Sequence, residues 1–244
     1  LLADCLPDDF GNALIDRWLA DRGVPKQAIT PLDRLAYMGK RAMGALEFKP
    51  RRGPATRTPT AIELETLVTT ARSVLAGSRD DDDHTAAALR SIIEVGTSAG
   101  GARAKAVVAW HPETQEMRSG QLDAPPGFQH WLLKFDGVGA DYELGTSQDH
   151  GRIEYAYSRM ARAAGIDMTD CRLLEENNRA HFMTRRFDRE GTSEKLHIQT
   201  LCAMGHLDFR RRGANSYAQL FLAMRALGLP RDDFVEAFRR MVFN

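Results

Sequence analysis

From the end of the glycine-rich stretch the hydrophobic periodicity is of the β type, and near residue 197 it becomes purely helical; that second change limits the folds open to the chain. Before it, short β-type runs follow one another: AVVAW, HWLLKFD at 130–136, CRLLEE, and HFMTRRFD within 179–188. Turn-forming residues separate them. One long helical pattern, SQDHGRIEYAYSRMARAAG, lies among them and closes at Gly165. After His197 only the helical period remains, in IQTLCAMGHL, NSYAQLFLAMRALG and PRDDFVEAFRRMVF. Strands with one helix, followed by helices alone, predict an α+β fold with two segregated lobes.

The region ahead of the strands reads as helical. DDFGNALIDRWLADR, residues 8–22, suits an amphipathic helix capped by Asp8 or Asp9, with Leu14, Trp18 and Leu19 on one face. PATRTPTAIELETLVTTARSVLAG offers a second, starting at Thr58 and Pro59 and ending at Gly77. HTAAALRSIIEV predicts a short helix leading to Gly96. The run DDDDH at 80–84 reads as a solvated loop and helix start, because a cation site needs more ligands at defined spacing.

Composition narrows the function. With 33 basic and 33 acidic residues in 244, no global field draws the chain to nucleic acid or a bilayer. No apolar run approaches the roughly 20 residues that a membrane span needs, and no leader of the secretory type is visible. Cys5, Cys171 and Cys202 form neither a disulfide framework nor a C-x-x-C metal spacing. A reducing, cytoplasmic setting is the expectation. The chain opens LLADCLPDDF without an initiator Met and stops at FRRMVFN, inside an apolar helix face. Both ends predict a fragment of a longer protein.

Three stretches could carry chemistry. In GTSAGGARAK, Gly96, Gly100 and Gly101 allow successive backbone N–H groups to point at an anion, and Lys105 follows at a strand start. The pattern is neither a P-loop nor a strict G-x-G-x-x-G, so by itself it also fits a plain connection. In HWLLKFD, Lys134 shares a strand face with Leu132; it either snorkels from an edge or neutralises nucleotide phosphates. In the second case Glu154 of the long helix is its natural partner, in the lysine-on-strand, glutamate-on-helix order that protein kinases use. Third, MTRRFDRE at 183–190 is a strand with a charged exit. His181, His197 and His206 share no ligand geometry in sequence and read as core or surface residues, while Met204, Met224 and Met241 read as core filling.

Taken together these motifs resemble the HipA-type toxin kinases, Ser/Thr kinases of bacterial toxin–antitoxin modules. LLADCLPDDFGNALIDRWLA is similar to the family's LPDxxG segment, GTSAGGARAK to its S-x-x-GGA-x-x-K loop, HWLLKFD to its lysine strand and TRRFDRE to its E-R-F-D-R hinge. HIQTLCAMGHLDFRRRGANSYAQLFLAMRALG and FVEAFRRMVFN resemble the helices that precede the family's catalytic loop.

The resemblance implies a protein-kinase-like two-lobed fold. Residues 1–94 would form an N-terminal subdomain with linker helices, 95–190 a nucleotide-binding part, and 191–244 the start of a helical lobe. Gly100, Gly101, Ala102, Arg103, Ala104 and Lys105 would cradle phosphates, and Ser98 would be autophosphorylated, silencing the enzyme. Lys134 would contact the nucleotide with Glu154 as partner; Arg185, Arg186 and Phe187 would line the adenine side, with Arg185 standing where the family has Glu. ATP and Mg²⁺ would be required. Partners would be a HipB-like DNA-binding antitoxin, through which DNA is met only indirectly, and a protein substrate such as an aminoacyl-tRNA synthetase. The catalytic loop and metal-binding Asp would lie beyond Asn244, which leaves no catalytic or metal residue in the chain and makes the chain as given inactive. The alternative expectation is a non-catalytic module that engages the antitoxin, its Arg210–Arg212 and Arg239–Arg240 clusters being solvated faces or phosphate contacts.

Overall fold

The computed structural model describes residues 2–54, 68–69, 71, 104–121, 123–137, 149–191, 194–208, 211 and 213–244. The helix expected to end at Gly77, the DDDDH run and the helix before Gly96 lie outside the described residues, save for helical positions 68, 69 and 71.

Helix α1, Asp9–Ala20, starts where Asp8 turns back to accept the Gly11 backbone N–H at 2.7 Å. Its apolar stripe, Phe10, Leu14 and Ile15, is almost fully buried. Helix α2, Pro31–Met38, opens with a capping box: Thr30 accepts from the Asp33 N–H while the Asp33 carboxylate accepts from Thr30. Pro31 occupies a first-turn position that needs no donor. The sequence pattern does not predict this helix, because eight residues carry too short a period to stand out.

Five strands form one antiparallel sheet: β1 (Lys105–Trp110), β2 (Met117–Ser119), β3 (Gln129–Lys134), β4 (Cys171–Glu176) and β5 (Arg179–Arg185), in the order β2-β1-β3-β5-β4. Asn177 and Asn178, both with positive φ, close the β4–β5 hairpin. Asn tolerates that conformation better than other non-glycine residues, which is why a two-residue loop suffices. Period-2 alternation puts Ala106, Val108 and Trp110 of β1 on one face with Trp131 and Leu133 of β3. Against them lie Phe10, Leu14, Ile15, Tyr37 and Met38, so the N-terminal helices and the sheet share one core.

Helix α3, His150–Ala163, packs on β5 and β4. Its buried residues are small: Gly151, Ser158 and Ala161. Gly151 lies so close to β5 that a Cβ there would stand 1.8 Å from the Ala180 carbonyl oxygen. No side chain fits that gap, so glycine fixes how near the first turn of α3 comes to the sheet. A short hairpin of β6 (Arg189–Glu190) and β7 (Glu194–Lys195) follows, then α4 (Leu201–Gly205), α5 (Tyr217–Ala226) and α6 (Arg231–Phe243). The α6 helix reaches back to the turn after α3: Glu236 accepts the Asp167 N–H at 3.1 Å, and Arg239 donates to the Gly165 carbonyl. The fold is thus mixed α+β, with an antiparallel sheet and six α-helices among the described residues. None of the described helices is long and apolar enough to cross a membrane.

Candidate functional site

Strand β3 ends at Lys134, just ahead of a buried carboxylate at Asp136. The Lys134 ammonium meets the Glu154 carboxylate of α3 at 2.6 Å and lies over the Phe182 ring of β5 at 5.6 Å. The pair bridges sheet and helix and keeps access to water, its side chains being 33% and 26% exposed. Glu154 stands one turn after Gly151, so the tight approach of α3 to Ala180 is what brings the carboxylate within reach.

Asp136 holds the other end of the same helix start. Its carboxylate accepts from the Gly151 N–H, and its own N–H donates to Nδ1 of His181 at 2.8 Å. That bond leaves the His181 ring proton on Nε2, 3.6 Å from the Glu176 carboxylate. Burial pushes the Asp136 carboxyl up, against the opposing pull of Gly151, His181 and His150. His181 is fully buried in this cluster.

Directly opposite Lys134 in the β1–β3 register stands Lys105. Its side chain is buried and ion-paired with Asp8, the residue that caps α1. Burial lowers the Lys105 amine, and the adjacent Lys134 adds to that, while Asp8 pulls it back up. Burial likewise raises Asp8 against the attraction of Lys105. The lysine expected beside phosphates is therefore engaged with the N-terminal helix. Ala104 is buried, and its carbonyl accepts the Phe135 N–H at 3.0 Å, tying the chain entering β1 to the end of β3 beside Lys134. Ser98, Gly100, Gly101, Ala102 and Arg103 lie outside the described residues.

The expected hinge residues have three different settings. Arg185 ends β5 exposed, its N–H bonded to the Asp170 carbonyl. Arg186 is buried; its N–H donates to the His130 carbonyl and its guanidinium grips Asp188 through two bonds of 2.8 and 2.6 Å. Phe187 between them is 61% exposed. Asp188, fully buried, also accepts from Arg189 at 2.8 Å and from the Gly44 N–H at 2.8 Å. Burial alone would raise its carboxyl, but the Arg186 fork, the Gly44 N–H and Arg189 together hold it below the usual carboxylate range. Burial and the neighbouring Arg186 lower Arg189 to about 10.

Sequence reasoning missed Asp8 as a lysine partner, Gly151 as a spacer and Asp188 as a hub. Only Asp188 left a trace, since R-R-F-D-R alternates charge with one aromatic over five residues. Among the described residues, no group of three or more His, Cys, Asp or Glu could hold a metal ion.

No curated protein matches the chain. Two family models do. The HipA N-terminal domain matches residues 1–49, the region that supplies α1, α2 and the Gly44 contact. The HipA-like C-terminal domain matches residues 97–244, which hold the whole sheet, Lys134, Glu154 and Asp188. More than half of the sequence falls within that second match, and the chain belongs to the HipA-like family.

Proposed function

We propose that the chain is part of an ATP-dependent serine/threonine protein kinase, the toxin of a toxin–antitoxin module, built as a kinase-like two-lobed enzyme. The observation that carries this reading is the Lys134–Glu154 ion pair between the last residue of β3 and the helix packed on the sheet. A lysine so held presents one fixed, hydrated positive charge, which suits a nucleotide phosphate. The end of the glycine-rich stretch is fastened beside it through Ala104 and Phe135. In the reaction a serine hydroxyl oxygen bonds to the γ-phosphorus while the bond to the bridging oxygen of ADP breaks, and the serine proton leaves to a base. Lys134 offsets charge on the phosphates, and positioning supplies most of the rate.

Within this reading, Gly100, Gly101, Ala102, Arg103 and Ala104 cradle phosphates and Ser98 is the autophosphorylation site. Adenine meets the chain at Phe187, because the Arg185 and Arg186 N–H groups already serve Asp170 and His130. Lys105, paired with Asp8, is not a free phosphate ligand in this arrangement. Mg²⁺ does not find a ligand set among the described residues, and no step above runs through it. A HipB-like DNA-binding antitoxin and an aminoacyl-tRNA synthetase substrate belong to the same proposal, carried by family membership alone.

Calorimetric titration with ATP tests the core of it. The protein should bind ATP, and Lys134→Ala should weaken binding by roughly tenfold or more, the worth of one well-placed charge contact. In a polypeptide extending through the catalytic loop, the same substitution should abolish autophosphorylation and Ser98→Ala should remove the modified site. Undiminished ATP binding by Lys134→Ala, or phosphate found by mass spectrometry elsewhere than Ser98, refutes the corresponding role.

A further inference from the structure

We propose that Asp188 is a positioning residue through which the N-terminal segment sets the hinge, and with it the affinity for the adenine base; this rests on the kinase reading above. The geometry is a closed circuit of buried charge. Arg186 and Arg189 converge on one carboxylate from the hinge side, and the Gly44 N–H reaches the same carboxylate from 144 residues away in sequence. Arg189 then continues into the N-terminal segment, donating to the Gly44 carbonyl at 3.1 Å and the Ala42 carbonyl at 3.2 Å. Ala42 is itself fully buried, so this end of the circuit is anchored in packed structure.

The consequence for residue 187 is mechanical. Arg186 is fixed by its side chain on Asp188 and by its N–H on His130. Asp188 is fixed by its carboxylate and by its carbonyl, which accepts the Leu196 N–H at 3.1 Å. With both neighbours facing inward, Phe187 is turned out and its backbone held between two anchored residues. The N-terminal segment supplies one of the four donors that hold the carboxylate in place. Loss of the carboxylate's charge weakens every bond in the circuit together, since charged hydrogen bonds are the strong ones.

The adenine base and the triphosphate report on different parts of this arrangement. ATP uses both the hinge and the Lys134 side; inorganic triphosphate uses only the latter. Calorimetric titration of the wild-type protein and of Asp188→Asn with each probe separates them. The expected result is a roughly 10- to 100-fold weaker Kd for ATP in Asp188→Asn, the scale of a small misplacement of a binding group, with the triphosphate Kd unchanged. Equal weakening of both probes in an Asp188→Asn protein that is folded by circular dichroism overturns a positioning role. An unchanged ATP affinity in Asp188→Asn overturns it too, while leaving the kinase reading intact. Wild-type protein that binds neither probe overturns the kinase reading and this inference with it. If Asp188→Asn does not fold, Arg189→Lys is decisive by the same ratio. It keeps the positive charge and loses the fork that joins Asp188 to Ala42 and Gly44, so it should weaken ATP selectively.

Discussion

Lys105 and Lys134 stand opposite one another on neighbouring strands, and each is held by a carboxylate from a helix, yet they are different objects. The Lys105–Asp8 pair is buried, with side chains 2% and 3% exposed; the Lys134–Glu154 pair keeps a third and a quarter of its surface. A buried pair has lost its water and depends on its own geometry, so it behaves as part of the core. A half-exposed pair has little at stake in stability and keeps a charge available to a ligand. Two lysines in register on one sheet thus divide the work: the first fastens the N-terminal helix to the sheet, and the second faces outward.

The strongest way to break this contrast is Lys105→Met. It leaves the Asp8 carboxylate buried without its cation, and loss of about 3–5 kcal/mol of stability is expected, the scale for removing one partner of a buried pair. Urea unfolding monitored by circular dichroism reads it directly. The double variant Asp8→Asn with Lys105→Met should recover most of that loss. Asn caps a helix about as well as Asp, so the start of α1 survives and only the orphaned charge is gone. A single variant within about 1 kcal/mol of wild type, the scale of an exposed pair, would erase the distinction between the two lysines.

How far sequence alone reaches is clear from the same two residues. The periodicity of AVVAW, HWLLKFD and CRLLEE is that of β1, β3 and β4, and SQDHGRIEYAYSRMARAAG contains α3, because one-sided burial imprints alternation on the chain. Glu154 is reachable from Lys134 by that logic, since a helix crossing between two strands must present some face to them. Lys105 is not. Its neighbour in sequence is a glycine-rich stretch, whereas its neighbour in space is a helix cap 97 residues away, and nothing in local pattern records such a pairing. The R-R-F-D-R pattern marks Asp188 and its arginines, but its long-range partner is hidden for the same reason: Gly44 donates through its backbone, which has no sequence identity at all. Gly151 is illegible for a different reason. A glycine near a helix start looks like a weakness, and only the 1.8 Å gap to Ala180 shows that it is a spacer. Strand β2, three residues long, and the β6–β7 hairpin are too short to carry a period.

A second test carries the burial argument to two aspartates that face opposite surroundings. Asp188 is ringed by Arg186, Arg189 and the Gly44 N–H, which outweigh burial and hold its carboxyl low. Its contribution is therefore present above the ordinary aspartate value of about 3.9 and is lost as pH falls through the folded value. Asp136 is the reverse: burial raises it, with His181, His150 and the Gly151 N–H opposing. Its folded form favours the neutral carboxyl, so whatever it contributes is present at low pH and lost as pH rises through its folded value. Asp188→Asn should cost about 1.5–3 kcal/mol at pH 7, the worth of hydrogen bonds to a charged group, and the deficit should shrink below pH ~4. Asp136→Asn should be neutral or stabilising at pH 7 and indistinguishable from wild type in acid. Thermal unfolding across pH 3–8 reads both curves. Parallel curves for the two variants would mean that the arginines around Asp188 do not outweigh its burial.

The smallest expected effect sharpens the contrast from the other side. Glu154→Gln removes the charge facing Lys134 while keeping the shape, and stability should change by less than about 1 kcal/mol, as for other solvent-exposed pairs. Because the pair touches water, raising salt from 0.05 to 0.5 M should shrink even that difference, since charges are screened over about 10 Å at 0.1 M. The Lys105→Met deficit should stay constant over the same range, there being no solvent between its partners to carry the screening ions. Guanidinium is itself a salt, so urea is the denaturant for both. If Glu154→Gln proved as costly as Lys105→Met and as indifferent to salt, Lys134 would be a second core fastening, and the charge proposed to meet a phosphate would already be spent within the fold.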